Sequence, residues 1–409
     1  MTETIERPEA GSRWQRVAAS EWTRTFAMVA AFHFVLTVVA VLFQRSYPTE
    51  IGYPKDIIGP DPTWLSHTFR WDSAHYYGIL EGSYENPEEP AFYPLFPVVV
   101  WLVRTLSFNS LPLITAGFLV NVVASWFAAT ALLKIARTFL SSTWGPWLAV
   151  TAFLTAPTAY FLHGFYSESL FCALGFWAYL FALRRQWHLM GACLIPLTAI
   201  RITSVLFVGL CLLEFFRAQD WQWRKLLSWN ILWFPAAFIG LEAYALYLKL
   251  KHGDALAMFH AYDLHQSWPY HVFNLDFPGT IWHAVTAAVE AVFATKPPDN
   301  WTLVSTIIPV LALVVLALAA GYVLRVYRGA GIPLAVFGFV SIVMFTLNSN
   351  VVSVHRYVLP CLVVYIAMAR LAQGGIRLSG KPAVYGLILS HTVLMAFLYS
   401  LFIAGKWSG

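Results

Sequence analysis

Charge is scarce in this chain. Of 409 residues only 11% are Asp, Glu, Lys or Arg, whereas 59% are hydrophobic and the mean hydropathy is +0.62. A soluble globular domain is roughly half apolar, so the composition excludes that class and points to a chain that crosses a membrane several times. Cysteine is sparse as well. Cys172, Cys193, Cys211 and Cys361 all fall inside apolar runs without paired spacing, the pattern of small core residues and not of disulfides or metal ligands. No His, Cys or Asp spacing suits zinc or iron and no Gly-rich phosphate loop occurs, so neither a metal nor another cofactor is expected, and a nucleotide is not the expected substrate. The formal charge of +5 is accounted for by topology and does not indicate nucleic acid. No cleavable leader is expected: residues before Phe26 are polar and no small-residue cleavage site follows the run from about Phe26 to Phe43, which is expected to stay as a first helix.

What the chain does have is apolar runs of near-spanning length with charges confined to the gaps, the signature of helices and not of barrel strands. The expected fold is all-α, a polytopic membrane protein of about 11 transmembrane helices in one domain over residues 1–409, with no internal repeat. Spans are expected near 26–43, 111–133, 145–163, 167–183, 187–200, 202–216, 228–248, 301–324, 332–348, 357–371 and 383–404. Two large outer loops, 44–110 and 249–300, lie between them.

Orientation follows from the basic residues. Arg7, Arg13, Arg16 and Arg24 precede the first run, which puts its start in the cytoplasm. The segment from Pro94 to Leu106 is too short to cross and is read as interfacial or re-entrant. With that choice Lys134 and Arg137, Arg184 and Arg185, Arg217, Arg224 and Lys225, Arg325 and Arg328, and Arg370, Arg377 and Lys381 all fall on the cytoplasmic side; counting 94–106 as a span would send every one of them outside. The same parity gathers four polar features on the outer face beside the first loop: Tyr166-Ser167-Glu168-Ser169, Arg201, the 249–300 loop and Val354-His355-Arg356-Tyr357.

Within the first loop, Arg70-Trp71-Asp72-Ser73-Ala74-His75 packs an arginine, a carboxylate and a histidine into six residues. Ionisable groups so near a membrane are expensive and mark a functional site by default. Asp72 is a candidate general base, and Arg201 and Arg356 are candidate phosphate grips, since a guanidinium presents a fixed fork of donors. Each has a plainer alternative. Asp72 can pair with Arg70, Glu168 behind Ser167 suits a helix start, and the two arginines can snorkel to water.

The run Arg70-Trp71-Asp72-Ser73-Ala74-His75-Tyr76, with Ala91-Phe92-Tyr93-Pro94-Leu95-Phe96-Pro97, resembles the first motif of the mannosyltransferase family that includes the second GPI mannosyltransferase, in its bacterial branch. Phe165-Tyr166-Ser167-Glu168-Ser169 is similar to that family's second motif, Ala199-Ile200-Arg201 occupies the place of its third, and His355-Arg356-Tyr357-Val358-Leu359-Pro360 resembles its C-terminal one. Ser83 interrupts the family's Gly-Tyr pair, and Ile202-Thr203-Ser204 replaces the residues usual after the arginine. The resemblance implies a GT-C glycosyltransferase of the cell membrane, active on its outer face, that moves a sugar, mannose being expected, from a polyprenyl-phosphate donor to a glycolipid or glycan acceptor with inversion. It implies Asp72 as the base. We assign the donor phosphate to Arg201 and Arg356 assisted by His355 or His75, and group Glu168, Tyr166, Trp71 and Arg70 as acceptor-side or second-motif residues. The rival reading is a non-catalytic transporter or binding protein for a lipid-phosphate carrier; a transporter calls for broken helices with charges near the bilayer midplane, whereas these polar groups are expected at outer span ends.

Overall fold

The computed structural model describes residues 20–46, 63–222, 224, 228–264, 272–373 and 381–409. Arg7, Arg13, Arg16, Lys225 and Arg377 of the expected cytoplasmic set, and parts 47–62 and 265–271 of the two outer loops, lie outside these residues. Among the described residues there are α-helices, short tighter or wider turns of helix, and no strand. The expected all-α polytopic fold is borne out.

The main elements are α1 (Glu21–Ser46), α2 (Ser73–Gly82), α3 (Leu95–Leu106), α4 (Leu113–Phe139), α5 (Gly145–Leu154), α6 (Glu168–Leu183), α7 (Trp187–Leu197), α8 (Val205–Ala218), α9 (Ile239–His252), α10 (Ala257–Leu264), α11 (Phe277–Phe293), α12 (Ile308–Tyr327), α13 (Ile332–Thr346), α14 (Leu362–Ala372) and α15 (Lys381–Ile403). Prolines punctuate them. Pro146, Pro309 and Pro333 sit in first turns, where the missing N–H would have had no partner in any case. Pro157 and Pro360 fall in the breaks after α5 and before α14, since a proline disfavours helical backbone in the residue before it.

Among the described residues five helical stretches are long and apolar enough to cross a membrane: Glu21–Gln44, Leu113–Phe139, Trp229–His252, Asn300–Thr346 and Tyr385–Ile403. The stretch Asn300–Thr346 covers 47 residues and turns at Arg328–Gly331, so it holds the two spans expected at 301–324 and 332–348. Several expected spans are shorter than the sequence suggested. The one at 145–163 is a 10-residue helix followed by a tight turn at Ala159–Leu162, and the pair around Arg201 is α7 and α8 joined by extended backbone at Arg201 (φ −161°, ψ 151°). The 12-residue α3 is, as expected, too short to cross.

The short helices have a structural reason. Lys134 and Arg137 near the end of α4 both reach Glu21 at the start of α1, so these two termini share one face. From Glu21 to His33 is about 18 Å of helix rise, and His33 Nδ1 meets His163 Nδ1, just before α6, at 2.9 Å. The loop between α5 and α6 therefore stops near the middle of α1, and the long helices stand above it as walls. In lipid, helices gain little from hydrophobicity and pack through small residues; α4 accordingly buries Ala116, Gly117, Ala124, Ala128 and Ala131 and packs most extensively on α6. Phe165 occupies the space that a Cβ on Gly117 would fill. That contact seats the loop leading into Glu168.

Candidate active site

The recess formed in this way is a cavity of about 570 Å³ lined by residues from both ends of the chain, among them Trp71, Asp72, His75, Arg201, Arg356, Tyr357 and Trp407. The first motif enters it through a tight turn at Thr63–Thr68 and then α2. Asp72 stands at the head of α2 but makes no capping bond with its side chain; the carboxylate turns instead to Arg356, whose Nη1 donates to Asp72 Oδ2 at 2.7 Å. The sequence alternative of a pair with Arg70 is not what forms. Arg70 points away from the cavity, where Nη2 donates to the Ile403 carbonyl at 2.9 Å and Nη1 to that of Phe69 at 2.9 Å. It ties the end of α15 to the motif.

Glu168 is the first residue of α6 and is fully buried. Its Oε1 accepts from Arg356 Nε at 2.5 Å and from Arg201 Nη2 at 2.6 Å. The helix-start reading and the site reading thus hold together: the positive end of α6 and two guanidiniums converge on one carboxylate. Arg201 is 15% exposed and Asp72 22% exposed, whereas Arg356 is 3% exposed; of the chain Asp72, Arg356, Glu168, Arg201, all but Glu168 line the cavity. Arg356 also lies against two rings, its Cζ 4.5 Å from the Phe161 centroid and 4.7 Å from that of Tyr166, a cation–π seat that fixes the plane of the guanidinium. Tyr166 in turn donates its hydroxyl to the Arg70 carbonyl at 2.7 Å. Four motifs far apart in sequence meet here.

The two histidines behave differently. His75 lines the cavity and stacks on Phe92, ring centroids 4.4 Å apart and 13° from parallel. His355 is buried behind the wall, where Nε2 donates to the Ser408 carbonyl at 3.0 Å. Burial lowers its pKa to about 4, so at neutral pH it carries no positive charge to offer a phosphate.

Sequence reasoning missed several contributors. Phe161 and Tyr160 sit in an apolar run like any other. Trp407 follows a spanning helix, where an aromatic is ordinarily an interfacial anchor, yet it lines the cavity. His33, His67 and His163 form a buried ladder, with His67 Nε2 and His163 Nε2 2.7 Å apart; they are spread over 130 positions and no local pattern links them. Among the described residues no group of three His, Cys, Asp or Glu side chains is arranged to hold a metal ion.

The family model described as Mannosyltransferase (PIG-V) matches residues 57–250, which takes in Asp72, Glu168 and Arg201 but not Arg356, and bears out the family resemblance over that range. A search of curated proteins returns no match. Apolar helices of spanning length together with this match support a glycosyltransferase of the multi-pass membrane type.

Proposed function

We propose that this protein is an inverting mannosyltransferase that takes its sugar from a polyprenyl-phosphate donor and passes it to a hydroxyl of a membrane-associated glycolipid or glycan, at the outer face of the cell membrane. The reading rests on the chain Asp72, Arg356, Glu168, Arg201, which presents one carboxylate and two guanidiniums to a cavity recessed among apolar helices.

The acceptor oxygen attacks C1 of the sugar from the side opposite the phosphate. As the new C–O bond forms, Asp72 takes the acceptor proton, which is the one base an inverting transfer requires. The bond from C1 to the phosphate oxygen breaks and its electron pair stays on that oxygen, turning a singly charged diester into a more highly charged monoester. No general acid is needed. Arg201 and Arg356 lie where that charge grows, and preorganised cations in a water-poor site stabilise it best. Glu168 holds both guanidiniums in register. The polyprenyl tail remains among the helices, which is why such a site belongs in a membrane.

Orientation is argued from the helix ends. Glu168 heads α6, and Arg184 and Arg185 follow its far end; Lys134 and Arg137 close α4 beside the start of α1. The basic ends and the cavity lie on opposite faces, and the positive-inside bias makes the cavity face the outer one. The test is incubation of the purified protein in lipid with radiolabelled polyprenyl-phosphate mannose and a panel of membrane glycolipids, beside GDP-mannose as the alternative donor. Label moving from the lipid donor, with inverted anomeric configuration, is expected. Transfer from GDP-mannose alone would overturn the reading.

A further inference from the structure

The segment after α15 turns back into the protein. Gly405 adopts φ 70°, its N–H bonds to the Phe402 carbonyl at 3.0 Å and the Lys406 N–H to that of Leu401 at 2.8 Å, which caps α15 and reverses the chain. Ser408 is then locked in place: the Tyr160 hydroxyl donates to its carbonyl at 2.8 Å, and His355 Nε2 to the same oxygen at 3.0 Å. Between the cap and the lock, Trp407 is carried to the cavity wall, where its ring centroid lies 5.4 Å from that of Trp71 at 76°.

Trp71 has its own peculiarity. It is 42% exposed and holds φ 49°, a backbone region that is costly for a bulky side chain and persists where the surroundings over-determine it, often at ligand clamps. The neighbouring Arg70 grips Ile403 at the end of α15, so the two indoles are braced from behind by one interaction. An interfacial anchor would face lipid; these rings face the cavity next to Asp72. An edge-to-face pair covers one face of only one ring and leaves aromatic faces open to a third group. The C–H face of a pyranose, with its partial positive charge, matches the negative face of such a ring.

We infer that Trp71 and Trp407 form the platform on which the sugar of the lipid-linked donor lies, so that the tail of the chain, which no motif marks, is part of the active site. This rests on the donor reading above. The ring being transferred must lie between the phosphate grip and the base, and Trp71 adjoins Asp72.

Binding tests it without turnover. Affinities of tritiated decaprenyl-phosphate mannose and of bare decaprenyl phosphate are measured on the full chain in nanodiscs, for wild type, Trp407→Leu, Trp71→Leu and Trp407→Phe. The wild-type ratio of sugar-bearing to bare-lipid affinity is the reference preference, whichever lipid it favours, since bare decaprenyl phosphate carries the additional negative charge of the leaving group. Either leucine variant should reduce that preference by about threefold to tenfold, the worth of one aromatic contact, with bare-lipid affinity unchanged, and phenylalanine should retain most of it. A preference undiminished in both leucine variants would overturn the platform while leaving the donor reading intact, and would send any aromatic stacking to the acceptor. Binding of neither lipid by the wild type would overturn the donor reading and the platform with it.

Discussion

Replacing Asp72 by Asn separates chemistry from architecture at this site. The amide oxygen of Asn can still accept from Arg356 Nη1, as the carboxylate does at 2.7 Å, so Arg356 should stay on Glu168 and against the Phe161 and Tyr166 rings. The exchange costs about 1 kcal/mol of a charge-assisted bond, too little to unfold a polytopic protein. What disappears is the proposed proton acceptor. General base catalysis is worth about 100- to 10,000-fold, or roughly 3 to 5 kcal/mol of barrier, and the loss should fall on kcat. Donor binding should move the other way. At an assumed separation of about 7 Å a donor phosphate would be repelled by Asp72 by roughly 2 kcal/mol at an effective dielectric near 20, and part of that is screened because Asp72 is 22% exposed. Removing the charge should tighten donor binding by up to about tenfold. Single-turnover transfer from preloaded labelled donor gives the first quantity and equilibrium binding the second. A variant that transfers sugar within about threefold of wild type would refute the assignment and send the base to the second motif.

Four other outcomes follow from the same geometry. Arg356→Lys keeps a charge but cannot bridge Asp72 and Glu168 with separate nitrogens, so donor affinity should fall about tenfold, one charge-assisted bond of roughly 1.5 kcal/mol; an unchanged dissociation constant would remove Arg356 from the phosphate site. Glu168→Gln leaves two guanidiniums without their shared counter-charge, and breaking a buried pair costs about 3 kcal/mol or more, so thermal unfolding should drop further than in Asp72→Asn while some transfer survives. His67, whose pKa burial lowers from 6.5 to about 3, favours folding when neutral: the unfolded state gains a proton as pH falls below 6.5, and near pH 4.5 that costs about 2 to 3 kcal/mol of stability. His67→Gln should flatten this part of the acid unfolding curve, and an unaltered curve would show that the ladder is solvated. Cysteines placed at Ser83 and Asn300 should label from outside and one at Ala330 only after permeabilisation; external labelling at Ala330 would invert the topology.

Much of this site is legible in the sequence because its charges are rare. In a chain so poor in ionisable groups, Asp72, Glu168, Arg201 and Arg356 stand out, and consistent placement of the basic clusters put all four on one face. Their partners were not legible. Asp72 and Arg356 are 284 positions apart, and only the meeting of α2 with the break before α14 joins them. The helix within 145–163 is shorter than its apolar run for a related reason: hydropathy reports that a residue is apolar and not whether lipid or a neighbouring helix surrounds it, so buried loops such as Ala159–Leu162 read as span. His355 looked like a cation from its neighbours, and burial makes it a neutral tether for Ser408.

Pairing the arginines with carboxylates has a consequence for how the site works. Two guanidiniums left uncompensated at this depth would carry a desolvation cost that no unliganded fold could bear. With Asp72 and Glu168 in place the four formal charges sum to zero. In the proposed reaction a donor phosphate arriving with one negative charge meets guanidiniums already oriented by Glu168, and the only protein group whose charge changes is Asp72, which becomes neutral on taking the acceptor proton. At that moment Arg356 loses a counter-charge on one side as the leaving phosphate gains one on the other. In the proposed mechanism base and phosphate share a single guanidinium, so proton removal by Asp72 would strengthen the pull of Arg356 on the leaving group, and the stabilisation would be greatest in the transition state and not in the bound donor.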